Sequence, residues 1–182
     1  MAEKFKNHYR IPSARLAGWD YSAPGVYFIT ICTAGHRCWF GEIENKKMIF
    51  SNFGKMVLQE WEKSFVMRTE LFCDTFVIMP NHIHGLLRIE HNINDMAFEK
   101  TKNERNNGIA IRKPKSISSF VAGFKSAVTR YANQNKIDFG WQSRFHDHII
   151  RDDDECQRIY TYITNNPGNW QNYGEAIFKN PV

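Results

Sequence analysis

The sequence predicts an α+β sandwich, with helices packed on one face of a mainly antiparallel sheet. Three observations predict it. Short runs rich in β-branched and aromatic residues are bounded by turn residues, as strands are. Longer segments between them repeat apolar residues at helical spacing. Several neighbouring strand runs are joined by connections short enough for hairpins.

Taken in order, residues 1–25 are polar and basic, broken by Pro12, Gly18 and Pro24, and read as an extended arm. The run from Val26 to Thr33, V-Y-F-I-T-I-C-T, is the first strand. Lys47 to Phe50 is a short second strand reached through a loop containing Gly41. A helix from about Ser51 to Ser64 follows, with Phe53, Met56, Val57 and Trp61 at helical spacing and Ser51 or Asn52 as its cap. Phe76 to Ile89, F-V-I-M-P-N-H-I-H-G-L-L-R-I, reads as two buried strands joined by a tight turn at Pro80 and Asn81. Residues 91–115 are Asn, Lys and Glu with little periodicity, the pattern of a mobile loop whose basic end, Arg112, Lys113 and Lys115, can meet phosphates. A long helix starts near Ser116, with Ile117, Phe120, Val121, Phe124, Val128 and Tyr131 on its packed stripe, so that Tyr131 reads as core. Trp141 to Arg151 reads as a strand, and the acidic run from Asp152 to Glu155 opens a last helix that stops at Pro167. Residues 172–182 form a short tail. The order strand, strand, helix, strand, strand, helix, strand, helix gives a sandwich of the ferredoxin-like or RRM-like kind, with one sheet face open to a ligand.

At 182 residues, 42% hydrophobic and 14% aromatic, the chain has the makings of one globular domain over residues 26–171. A net charge of +5 and a pI near 9.0 favour a polyanionic partner. Cys32, Cys38, Cys73 and Cys156 contain no C-x-x-C pair, so neither a zinc knuckle nor a disulfide framework is expected, and a reducing, cytoplasmic setting fits. No apolar run approaches the roughly 18 residues of a membrane span, and the first ten residues lack the apolar core of a signal peptide.

The chemistry concentrates at His82 and His84. Side chains two apart on a strand share a face, so both imidazoles project together while Ile83, Leu87 and Ile89 face the other way. Two adjacent imidazoles can share one metal ion, although the H-x-H spacing is equally that of two ordinary surface histidines. On the last helix Tyr162 and Asn166 stand one turn apart, beside a buried stripe of Cys156, Ile159 and Ile163. That places a hydroxyl nucleophile beside an amide oxygen, a third ligand for an ion held by the histidines. A tyrosine on a helix more often serves packing.

Four ordered motifs bear on that choice: M-P-N-H-I-H-G ending at Gly85, G-F-K-S at Gly123 to Ser126, W-Q-S-R-F-H-D-H-I-I-R from Trp141 to Arg151, and Y-I-T-N-N-P from Tyr162 to Pro167. Together they resemble the single-tyrosine HUH transposases, in particular the REP-associated tyrosine transposase branch, across Val26 to Trp170. The resemblance implies that His82 and His84 bind a divalent metal, Mg²⁺ or Mn²⁺, that Asn166 is the third ligand, and that Tyr162 is the nucleophile. Tyr131 is the competing nucleophile, because relatives in the wider family also carry the tyrosine on a helix after the histidine strand, and the polar Asn135 at i+4 does not exclude it. The implied reaction cuts and rejoins single-stranded hairpin DNA through a covalent 5′-phosphotyrosine. A single nucleophile per chain, set against two strand breaks, suggests a homodimer. Lys125, Trp141, Gln142, Arg144 and His148 are expected near the DNA, with core packing the alternative for Trp141 and a solvated charge the alternative for Lys125. The rival readings are a non-catalytic nucleic-acid-binding module and a replication-initiator or relaxase nuclease built on the same histidine pair. The long polar loop after Glu90 and the short tail after Trp170 depart from the family pattern.

Overall fold

The computed structural model describes residues 4–5, 8–9, 19–90 and 114–172. Arg112 and Lys113 therefore lie outside the described residues, as do most of the arm, the polar loop and the tail. Two short strands, β1 (Lys4–Phe5) and β2 (His8–Tyr9), pair with each other. The rest of the chain is organised by β3 (Gly25–Cys32), a hairpin of β4 (Gly41–Glu44) and β5 (Lys47–Phe50), α1 (Asn52–Val66), β6 (Leu71–Met79), β7 (His82–Ile89), α2 (Ile117–Gln134), β8 (His146–Ile149) and α3 (Asp153–Asn165). The main sheet runs β6-β7-β3-β8 with every pairing antiparallel.

Alternation along the strands sorts the side chains onto two faces. On one face Tyr27, Ile29 and Ile31 of β3 and Ile83, Leu87 and Ile89 of β7 pack with α1 and α2 through Trp61, Phe120, Phe124 and Val128. Gly85 belongs to this face, where a Cβ would sit 3.0 Å from the Trp61 indole, so β7 lies directly against α1. Gly54 does the same for the helix start, since a Cβ there would fall 1.9 Å from the Phe40 carbonyl oxygen. Ser51 caps α1 by accepting from the Gly54 N–H, and Ser116 caps α2 in a reciprocal box with Ser119.

The other sheet face is not open along its length, as a one-sided arrangement of helices would leave it. α3 crosses it, burying Ile159 and Ile163 against Phe28 and Leu86. The cause is that β3 is apolar on both sides: Phe28 needs cover as much as Tyr27 does, and each buried side chain of this size contributes about 1.5–3 kcal/mol. Asp152 caps α3 by accepting from the Glu155 N–H at 2.7 Å.

Three local expectations change. Gly41 opens a strand, β4, and not merely a loop. The long strand from Trp141 is reduced to an isolated bridge, Thr33 to Trp141, followed by the short β8. Between them the chain is drawn toward α2, because Lys125 Nζ donates to the carbonyls of Gln142 at 2.7 Å and Arg144 at 3.3 Å. Tyr131 is not core: it is 38% exposed, and Ala132 takes the buried position. The stripe of α2 advances from Val128 to Ala132 in a four-residue step, which turns Tyr131 outward.

Candidate active site

The β3–β7–β8 register builds the site. Thr30 stands opposite His84 on one side and His146 on the other, and Cys32 stands opposite His82, so all five residues share the face crossed by α3. The His82 and His84 rings are 4.5 Å apart, centroid to centroid, and edge to face. Both are buried, at 1% and 5% exposure. His84 stacks on Phe28, and its Nδ1 lies 2.8 Å from Thr30 Oγ1. On the far side of the same ring, the Tyr162 hydroxyl lies 3.3 Å from Nε2. His82 Nδ1 lies 2.7 Å from Asn81 Oδ1, and the Trp170 ring sits 6.1 Å from the His82 ring.

Burial, reinforced by His36, pushes His82 down to about 4. Burial, then His82 and His146, holds His84 well below the ordinary imidazole value. Two neutral imidazoles side by side are what a metal ligand pair requires. The same depression makes His84 a weak general base for a phenol that ordinarily titrates at about 10. Among the described residues no group of three or more His, Cys, Asp or Glu is gathered to hold an ion. Were an ion held by the two imidazoles, a third protein ligand would be of another kind, and Asn166, buried at the end of α3 one turn beyond Tyr162, carries an amide oxygen. The residues present fit a divalent cation with mixed nitrogen and oxygen ligands.

The sequence-predicted residues divide into two groups. His82, His84 and Tyr162 come together, and Asn166 ends the helix that carries Tyr162. Tyr131 does not join them, for it lies beside Phe53 on the α1 side of the sheet, with ring centroids 6.3 Å apart. Trp141 packs among Phe40, Phe124 and Phe139. Lys125, 5.8 Å from the Trp141 ring and lowered to about 8 by burial, braces the neighbouring loop. Gln142 Nε2 donates to His36 Nε2 at 2.9 Å. Arg144 is exposed on the same loop, and Lys115 is half-buried just before the α2 cap. His148 holds Glu155 at 2.9 Å and so ties β8 to the start of α3.

Thr30, Asn81, His146 and Trp170 stand at the site without having been singled out in the sequence. Thr30 depends on strand register, which one sequence does not display. His146 had a signal, since H-D-H at 146–148 repeats the H-x-H spacing. Asn81 sits inside the M-P-N-H-I-H-G run, and Trp170 lies within the 3₁₀ turn of Asn166–Asn172.

Comparison with known proteins adds three findings. No family model matches the sequence. An uncharacterized protein of Haemophilus influenzae is 37% identical over 173 residues, covering 90% of this chain and 91% of that protein. A solved structure of a REP-associated tyrosine transposase bound to a REP hairpin superposes with a TM-score of 0.56 over 88% of this chain and 74% of that one, at 16% identity. At that identity the likeness is one of fold.

Proposed function

The chain belongs to the same family as the uncharacterized Haemophilus influenzae protein, and we propose that it is a transposase-like enzyme that cuts and rejoins single-stranded hairpin DNA through a 5′-phosphotyrosine on Tyr162. The observation that carries this reading is the 3.3 Å approach of the Tyr162 hydroxyl to His84 Nε2, made across the sheet by the helix that had to fold back for it. The transposase fold of the hairpin-bound neighbour supports the substrate class, as does the net charge of +5.

The Tyr162 oxygen attacks phosphorus, forming the tyrosyl O–P bond and breaking the bond to the 3′-oxygen, which leaves as a hydroxyl after taking a proton. The phenolic proton passes to solvent water, and water supplies the proton taken up by the leaving 3′-oxygen. Because one phosphodiester replaces another, a later 3′-hydroxyl can reverse the step without an external energy source. His82, His84 and Asn166 would hold Mg²⁺ or Mn²⁺. When bound, such an ion polarises the scissile phosphate and offsets charge developing on its oxygens. Phe28, in edge contact with the Tyr162 ring at 6.2 Å, limits the directions the phenol can take. A homodimer in the cytoplasm would supply two phenols for two strand breaks.

The test is to incubate the protein with labelled single-stranded hairpin DNA and Mg²⁺ or Mn²⁺ and to map the attached residue. A covalent adduct on Tyr162 is expected, lost in Tyr162→Phe and lost on chelation, with the melting temperature nearly unchanged by the chelator. An adduct on another tyrosine, or none with either ion, overturns the reading.

A further inference from the structure

Asn81 is buried, at 5% exposure, in the turn between β6 and β7, and both ends of its amide are engaged. Its Nδ2 donates to the His36 carbonyl oxygen at 3.1 Å, and its Oδ1 lies 2.7 Å from His82 Nδ1. The first contact settles the second. A carbonyl oxygen can only accept, so the amide nitrogen must face His36 and the amide oxygen must face the ring. An amide oxygen also only accepts, so the ring nitrogen it meets must carry hydrogen. We propose that Asn81 is a positioning residue that holds neutral His82 in the Nδ1–H tautomer, so that the ring turns the lone pair of Nε2 toward the shared face with His84.

The supporting frame is rigid for this purpose. The Thr33 N–H donates to the Asn81 carbonyl at 2.9 Å, and the Phe40 N–H donates to the Pro80 carbonyl at 3.0 Å. The turn before His82 is thus pinned to the segment after β3, and the amide cannot rotate without giving up His36. The sequence places Asn81 immediately before the first histidine, where its side chain can meet the ring of the next residue. Histidines that bind metals commonly have their second nitrogen held in this way, and loss of the outer partner typically lowers affinity or activity by roughly 10–100-fold.

The consequence for an ion rests on the metal role proposed above, whereas the tautomer does not, so the experiment reads them separately. Histidine ¹⁵N spectra of the metal-free, full-length protein should show hydrogen on Nδ1 of His82, and titration with Mn²⁺ alone, followed by the free-ion paramagnetic signal, should give its affinity. Asn81→Ala should spread the hydrogen over both ring nitrogens and weaken Mn²⁺ binding roughly 10–100-fold. Asn81→Asp keeps an acceptor toward the ring but loses the donor to His36, so it should retain the Nδ1–H signature and bind closer to wild type than Asn81→Ala does. Hydrogen on Nε2 of His82 in the wild type overturns the proposal, and so does an unchanged tautomer in Asn81→Ala. If Asn81→Asp loses the signature as fully as Asn81→Ala, the amide serves only to brace the turn, which also overturns it; should Asn81→Ala fail to fold, the wild-type and Asn81→Asp spectra decide. Failure of Mn²⁺ to bind wild type, with the tautomer as stated, counts against the metal reading and leaves the role of Asn81 standing.

Discussion

Thr30 and Tyr162 meet His84 at opposite nitrogens of one ring, at 2.8 and 3.3 Å, and the imidazole is thereby held between a strand and a helix. Thr30→Val keeps the shape of the side chain and removes its oxygen, leaving a buried ring nitrogen without that partner. The expected loss is about 1–3 kcal/mol of stability, measured by urea unfolding. The histidine pair was legible in the sequence because strand alternation needs no tertiary information. Its partners were not, because Thr30 lies 54 residues before His84 and only register joins them. In the sequence Tyr162 is set apart from Tyr131 by the Y-I-T-N-N-P motif and by the apolar stripe that makes Tyr131 read as core. The structure separates the two differently, by the face of the sheet that each occupies.

At the scale of elements, α3 is the piece whose placement sequence periodicity left undecided. Its stripe named Ile159 and Ile163 correctly, but a stripe does not say which surface it covers. The hint lay in β3, where V-Y-F-I-T-I-C is apolar at odd and even positions alike, as in a strand covered on both sides. Ile163→Ala should destabilise by about 2–5 kcal/mol, and hydrogen exchange should show α3 opening ahead of the sheet. The helix has a second anchor in Glu155. Burial opposes ionisation of its carboxyl, but the hydrogen bonds from the Arg151 N–H and His148 prevail and hold it below the ordinary 4.5. A carboxyl with a lowered folded-state value stabilises above the unfolded value, and that stability is lost as the pH falls through the folded one. The stability difference between wild type and Glu155→Gln should therefore be full at neutral pH and shrink below about pH 4.5, as urea unfolding across a pH series would record.

Over the whole molecule, the Tyr162 phenol and both imidazoles that meet it come from one chain, so the proposed reaction calls on no side chain of a neighbour. Mixing Tyr162→Phe protein with His84→Ala protein should accordingly yield no more DNA adduct than either alone, whereas an exchange of helices between copies would restore it, as a gel of labelled adduct would reveal. The sheet-and-helix plan was readable from the order of its elements, while the two-faced covering came from contacts between distant segments. The Trp170 indole beside His82 has a further use. A paramagnetic ion bound at His82 would lie near enough to this ring to quench its fluorescence. If His82 holds Mn²⁺ as proposed, the share of fluorescence that Trp170 contributes among the five tryptophans should fall as the ion is added, before any bond is cut.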